Sequence, residues 1–143
     1  MSGEVTELLA TSYAVVSLEQ DDKIVRYRRL PQQFADLSAA QSTYDQVLAV
    51  LERIGRTGRG LLVDSRAAIG RNDAAFETLL YEFRRRSIAG FVGHAVLMRT
   101  AVGSLHAQRL EREQGTAGQV FMKEADAVAH LLKLVGAESP PRR

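Results

Sequence analysis

Several residue types and patterns are missing from this 143-residue chain, and each absence excludes a class of protein. There is no cysteine, which excludes disulfides, thiolate nucleophiles and cysteine-ligated metals. No apolar run approaches the roughly 18 residues that a membrane helix requires. The sequence starts Met1-Ser2-Gly3-Glu4, with no basic n-region and no apolar run of roughly 7–15 residues of the sort that a signal peptide needs. We therefore expect a cytoplasmic protein without a membrane span.

Patterns of catalytic and nucleic-acid-binding residues are also missing. The three histidines, His94, His106 and His130, lie on separate predicted elements and do not have the spacing of a helical metal pair. No Gly-x-Ser-x-Gly motif and no acid–base pair occurs. A basic stripe with interleaved aromatic residues, typical of nucleic-acid binding, is absent as well. The sequence therefore predicts a non-enzymatic protein without metal, cofactor or nucleic-acid partner.

The composition is that of one soluble globular domain, with 45% hydrophobic and 25% charged residues. Sixteen of the nineteen basic residues are arginine, although the net charge is only +2. Because the guanidinium group binds carboxylates and phosphates well, an anionic partner is one interpretation. Since the charges are dispersed among acidic residues, a general preference for arginine over lysine is the other.

Hydrophobic periodicity predicts strands that alternate with helices. Residues 13–18 and 23–28 are β-rich and are separated by a polar turn, which favours an antiparallel hairpin. The arginines of 23–28 favour a position near the sheet edge. Ser38 and Gln41 form a predicted capping box at the start of the first helix. The later segments are predicted as strands 61–63, 95–98 and 119–122 and helices from 72 or 73 to about 86, 100 to about 114, and 124–135.

The resulting order, β-β-α-β-α-β-α-β-α, predicts an α/β fold. Right-handed crossovers between successive strands imply one mixed, mostly parallel five-stranded sheet that begins with the hairpin. Residues 1–11, with few apolar anchors, are predicted as a flexible N-terminal arm. Residues 12–136 form the predicted domain, and 137–143 a disordered tail.

The end of strand 61–63 is the predicted functional region, because ligands of open α/β sheets bind beyond the carboxyl ends of strands. A polar loop begins there and runs into the second helix. The candidate partner- or ligand-binding residues are Asp64, Ser65, Arg66, Arg71, Asn72 and Asp73. They could hold an anionic ligand or the acidic edge of a partner at the helix start. Alternatively, Asp64 pairs with Arg66 or Arg71, and Asn72 or Asp73 merely caps the helix.

This order of elements resembles that of the STAS domain, a family named for sulfate transporters and anti-sigma-factor antagonists. The resemblance extends over about residues 13–134. Strand 61–63 ends in Asp64-Ser65, where the antagonists have Asp-Ser-Ser-Gly before the second helix. Residues 120–131 resemble the end of a bacterial STAS-like subfamily, in which a strand ending in Val-Phe precedes an acidic, alanine-rich helix.

The resemblance implies a regulatory module that recognises a protein partner through the loop after strand 61–63 and the start of the next helix. The regulatory serine of the antagonists is replaced here by Arg66, and the glycine after it by Ala67, which leaves Ser65 as the candidate phosphorylation site. STAS-like folds are related in architecture to lipid-binding CRAL-TRIO domains. The alternative is therefore a domain that binds a small ligand, a lipid or an anionic metabolite, with helix 100–114 as a lid. A homodimer is compatible with either function.

Overall fold

The computed structural model describes residues 4–70 and 73–138. Its strands and helices alternate after an N-terminal group of three strands. In chain order the elements are β1 (Thr6–Ala10), β2 (Ala14–Glu19), β3 (Ile24–Arg29), α1 (Leu37–Ile54), β4 (Gly60–Asp64), α2 (Ala74–Ile88), β5 (Gly93–Leu97), α3 (Ala101–Gln114), β6 (Gln119–Phe121) and α4 (Glu124–Glu138). None of these helices combines the length and the hydrophobicity needed to cross a membrane.

The strands form one mixed sheet in the order β1-β2-β3-β4-β5-β6. The pairs β1/β2 and β2/β3 are antiparallel, and β3/β4, β4/β5 and β5/β6 are parallel. Each helix between parallel strands therefore connects direct neighbours. The prediction of an α/β fold with a mixed sheet and an N-terminal hairpin is confirmed. The predicted number of five strands is wrong, because the sheet has six.

The additional strand, β1, lies within the segment 1–11 that was predicted as a flexible arm. It pairs with β2, with a register shift between Glu7 and Leu9. Leu8 and Leu9 are half-buried and pack against the main core. Two adjacent leucines show neither a strand nor a helix period, so the local pattern was uninformative. The free edge of β2 supplies the hydrogen bonds that make this segment a strand.

The two faces of the sheet have separate hydrophobic cores. Side chains of α1 and α2 cover one face, where the core includes Val25, Tyr27 and Leu61. α4 packs on the opposite face, where Ala127 and Leu131 contact the other set of strand residues. Because successive strand residues point to opposite faces, neighbours such as Leu61 and Leu62 belong to different cores. We call these the α1–α2 face and the α4 face.

Two local predictions near α1 are wrong. β3 lies inside the sheet between β2 and β4, although its arginines favoured an edge. Arg26 is only 8% exposed and is neutralised by carboxylates of neighbouring elements, which sequence spacing does not show. The N-cap of α1 is Asp36, which accepts a hydrogen bond from the Ala39 amide at 2.8 Å, and not Ser38. Asp36 supplies the same interaction that was predicted for a serine.

The C-terminal helix is longer than the sequence pattern indicated. α4 continues to Glu138, two residues beyond the predicted domain boundary at 136. Gly136 lies within this helix and does not end it. The first part of the predicted tail 137–143 is therefore helical. Residues 139–143 lie outside the described residues.

Candidate functional site

Asp64, the last residue of β4, is part of a buried ionic network on the α4 face. Its side chain is 2% exposed and accepts a hydrogen bond from Arg26 Nη1 at 2.9 Å. Arg26 also binds Glu19 through two hydrogen bonds, at 2.9 Å from Nε and 2.7 Å from Nη2. Since Arg26 and Glu19 are also buried, the network connects the interiors of β2, β3 and β4. We call the residues Glu19, Arg26, Asp64, Arg66 and Glu124 the α4-face network.

Arg66 and Glu124 close this network at the surface. The Arg66 guanidinium makes two hydrogen bonds to Asp64, at 2.9 and 2.8 Å, and a third to Glu124 at 2.9 Å. Burial acts to raise the pKa of Asp64, but the hydrogen bonds from Arg66 and Arg26 outweigh it and lower that pKa below 3.8. The pairing of Asp64 with Arg66 is one of the two pairings that the structural interpretation of Asp64 named. Both residues are occupied by contacts within the protein.

The other candidate residues of this loop have different surroundings. The Ser65 amide donates to the Leu97 carbonyl at 2.9 Å, and its half-buried side chain lines a cavity on the α1–α2 face. Asp73 occupies the N-cap position of α2, and its carbonyl accepts the Glu77 amide at 3.0 Å. Arg71 and Asn72 lie outside the described residues. The structure therefore does not bring the four described candidates, Asp64, Ser65, Arg66 and Asp73, together in one site.

The cavity lies between the sheet, α2 and α3, at the carboxyl ends of β3, β4 and β5. Its volume is about 530 Å³, within the range of sites for small ligands. The loop after β4 closes one end through Ser65, Ala68 and Ile69. The apolar and aromatic residues of the wall come from the strands, α1, α2, α3 and the loop before α1; they include Tyr27, Phe34, Tyr44, Val63, Phe76, Leu80, Phe83, Val96, Met98 and Leu110.

Four aromatic rings form the deep end of this cavity. Tyr44 and Phe83 are stacked, with ring centroids 4.2 Å apart, and Tyr27 meets Phe83 edge-on at 5.3 Å. Phe34 meets Tyr44 edge-on at 5.5 Å. Burial raises the pKa of Tyr27 and Tyr44 above its usual value, so both hydroxyls remain protonated at neutral pH. The deep end therefore combines a large apolar surface with hydroxyl groups that can donate hydrogen bonds.

Arg29, at the end of β3, is the cation of this deep end. It is 9% exposed, lines the cavity, and its guanidinium carbon lies 4.1 Å from the Phe34 ring centroid. Nε donates to the Tyr13 carbonyl at 3.0 Å, and Nη2 donates to the Gln32 carbonyl at 3.1 Å. Arg29 also acts on the Tyr27 hydroxyl, whose pKa it lowers against the larger raising effect of burial. Neutral groups are thus its hydrogen-bonding partners in the described part of the chain.

The outer part of the cavity is polar and of mixed charge. His106, Arg109 and Glu113 of α3 and Glu77 of α2 are exposed side chains of its lining. The Tyr81 hydroxyl donates to Glu113 at 3.2 Å and so connects α2 with α3 across the opening. His106, which the sequence indicated only as a residue of the weakly amphipathic third helix, therefore lies at this opening.

A second buried network holds α3 against α2 and β5. The Glu111 carboxylate accepts hydrogen bonds from Arg84 at 2.8 Å and Thr116 at 2.6 Å, and it contacts His94 Nε2 at 2.9 Å. Burial acts to raise the pKa of Glu111, but hydrogen bonds from His94, Thr116 and Arg84 outweigh it and hold that pKa far below 4.5. A Cβ atom at Gly118 would overlap the His94 ring, so this packing requires glycine. We call Arg84, His94, Glu111, Thr116 and Gly118 the α3 clasp.

The remaining polar residues give no metal centre in the part of the chain that the structure describes. No group of three or more histidine and carboxylate side chains there is placed to hold a metal ion. His94 belongs to the α3 clasp, and His130 packs its ring 5.4 Å from that of Phe121.

The small-ligand alternative named helix 100–114 as a lid, but among the candidate residues from the sequence only Ser65 is in the described lining of this cavity. Its four deep aromatic residues come from β3, the loop before α1, α1 and α2, which are far apart along the chain. The one available signal was the position of Arg29 at a strand end beside Tyr27. That position is typical of ligand contacts in open α/β sheets, because strand ends meet at one edge.

No protein-family model matches the chain, and neither the curated proteins nor the solved structures gave a significant match. The comparisons therefore assign no family to it. The resemblance to the STAS family stays a prediction based on the residues quoted above.

Proposed function

We propose that this protein binds a small amphipathic molecule in the cavity between the sheet, α2 and α3. The observation that supports this function is the cavity itself, about 530 Å³ in volume, with aromatic residues at its deep end and charged residues at its opening. Such a combination of a largely apolar wall with a few polar groups is typical of small-ligand sites. This proposal corresponds to the lipid or anionic-metabolite alternative considered for the sequence.

In this proposal α3 is the lid of the cavity. Ala107 and Leu110 face the cavity, whereas Val102 and Leu105 are 78% and 65% exposed. Hydrogen bonds of the α3 clasp, rather than an extensive apolar interface, hold the helix in place. Because Ala107 and Glu111 are the buried residues of α3, the helix has few buried apolar contacts, which is typical of elements that open locally.

Native mass spectrometry of the purified protein tests this function. We expect a bound small molecule that is released on denaturation. The variant Ala107→Phe adds a ring at a buried position of the cavity wall and should lose the ligand while remaining folded. Ala129→Phe adds the same ring at an exposed position of α4, outside the cavity, and should retain it. Equal ligand occupancy in the two variants would contradict the assignment of the cavity.

The second candidate function is recognition of a protein partner in a regulatory assembly of STAS type, in the cytoplasm. Its support is the exposed end of the loop after β4, where Ile69 is 48% exposed beside Ala68 and Gly70. The small neighbours leave the Ile69 side chain accessible to a partner. This candidate comes second because Asp64 and Arg66, which were expected at its centre, are occupied by the α4-face network.

A further inference from the structure

Three arginines are buried in the described part of the chain, and one of them differs from the other two. Arg26 is paired with Glu19 at 2.7 Å and Asp64 at 2.9 Å, and Arg84 is paired with Glu111 at 2.8 Å. Arg29 is as deeply buried, at 9% exposed. No carboxylate oxygen of the described residues lies within 4.0 Å of its guanidinium nitrogens. Among residues 4–70 and 73–138 it is therefore a buried cation without a counter-charge.

Such a cation is costly unless a compensating group is nearby. The two backbone carbonyls and the Phe34 ring that contact Arg29 offer partial negative charge, but no full charge. The guanidinium group has five N–H donors; the two carbonyls use two of them, and the Tyr27 hydroxyl is the third group that Arg29 contacts. An anion in the adjoining cavity would supply both the missing charge and further acceptors.

We propose that the ligand of the cavity is an apolar monocarboxylic acid whose carboxylate binds Arg29. This inference rests on the proposed function and adds the chemical class of the ligand. The carboxylate lies at the deep end, where the hydroxyls of Tyr27 and Tyr44 are available as further donors. The apolar body extends towards the opening along Val63, Phe76 and Leu80.

Charge favours a carboxylate over a phosphate at this position. Arg29 supplies one positive charge, which a carboxylate neutralises. A phosphate monoester carries about −1.5 to −2 at neutral pH. The second buried arginine of the cavity wall, Arg84, is already neutralised by Glu111. It therefore does not compensate the part of the phosphate charge that Arg29 leaves. A phosphate would therefore be left partly uncompensated in an apolar site.

The size and composition of the wall define the rest of the ligand. Apart from Arg29, Ser87 and Arg84, which Glu111 neutralises, the buried residues of the wall are aromatic or aliphatic. A dicarboxylate or a sugar acid would therefore lose hydration without gaining a partner for its second charge or its hydroxyl groups. An unbranched or aromatic acid instead places its apolar surface against Phe83 and Val96. The site therefore selects for one charged end and one apolar end.

Isothermal titration calorimetry with decanoate and 1-decanol tests this ligand class. The two molecules share the alkyl chain and differ in the charge of the head group. At neutral pH, and with any co-purifying ligand removed, we expect the wild-type protein to bind decanoate at least tenfold more tightly. The variant Arg29→Met removes the charge and should no longer prefer decanoate, whereas Arg29→Lys keeps the charge and should retain the preference.

The outcomes separate this inference from the proposed function. If the wild-type protein binds decanol as tightly as decanoate, the cavity binds apolar molecules but Arg29 does not select a carboxylate, and the inference is wrong. If Arg29→Met retains the wild-type preference, the carboxylate lies elsewhere and the inference is wrong too. If neither molecule binds and no mass is released from the native protein, the proposed function itself fails. The wild-type comparison remains decisive even if Arg29→Met does not fold.

Discussion

The substitution Arg26→Met is the sharpest test of the α4-face network. Arg26 is 8% exposed and lies between Glu19, which is 7% exposed, and Asp64, which is 2% exposed. Methionine fills a similar volume but removes the charge and the hydrogen bonds to both carboxylates. The two carboxylates differ in the partners that remain after this substitution. Asp64 keeps Arg66, whereas the Ser17 hydroxyl at 3.5 Å is the one side-chain partner that Glu19 keeps among the described residues.

The expected loss follows from the buried charge left on Glu19. Removing one partner of a buried ion pair costs about 3–5 kcal/mol, because the other charge remains buried and uncompensated. We expect the free energy of unfolding to fall by about 4 kcal/mol, a large part of the roughly 5–15 kcal/mol that is typical of such domains. With an unfolding entropy of about 2.1 cal/mol/K per residue, the melting temperature should fall by about 13 °C.

Urea unfolding followed by far-UV circular dichroism measures this loss at neutral pH. The control is Arg28→Met, which removes an exposed arginine from the same strand and should change the free energy of unfolding by less than about 0.5 kcal/mol. In the double variant Glu19→Gln/Arg26→Met the buried charge is gone, so the loss should be smaller than the sum of the single losses. Equal stability of Arg26→Met and Arg28→Met would refute this account of the network.

Two further predictions concern the α3 clasp and the loop after β4. Because the pKa of Glu111 is lowered in the folded state, its contribution to stability is complete above about pH 4.5 and is lost as the pH falls through the folded pKa. Glu111→Gln should therefore lower the free energy of unfolding near neutral pH by about 3 kcal/mol and make that free energy fall less steeply in acid. Urea titrations at several pH values measure both effects. The control Glu52→Gln, at an exposed residue, should change neither the free energy of unfolding nor its dependence on pH. For the partner candidate, Ile69→Asp should abolish co-precipitation of a partner protein. The control Val5→Asp, also at an exposed apolar residue, should retain it. Co-precipitation by both variants would exclude the loop after β4 as the contact.

The placement of Asp64 shows how far local sequence reasoning extends. An apolar run that ends in a carboxylate predicts a strand end, and β4 does end at Asp64. The sequence also offered Arg66 as a partner, because a residue two positions away can reach back to a carboxylate. It did not show Arg26, since that contact requires β3 and β4 to pair in the register that places Arg26 beside Leu62. Asp64, a candidate binding residue in the sequence, is therefore part of a buried network in the structure.

The alternation of strands and helices was determined by the sequence alone, because the side-chain periods of 2 and 3.6 residues are local properties. The same holds for the polar loop after β4. Tertiary structure decided that Thr6–Ala10 is a strand, that Arg26 is buried, and that four aromatic residues and Arg29 meet in one cavity. Each of these features depends on contacts between segments that are far apart in the chain. A local sequence pattern does not indicate the free energy of such contacts.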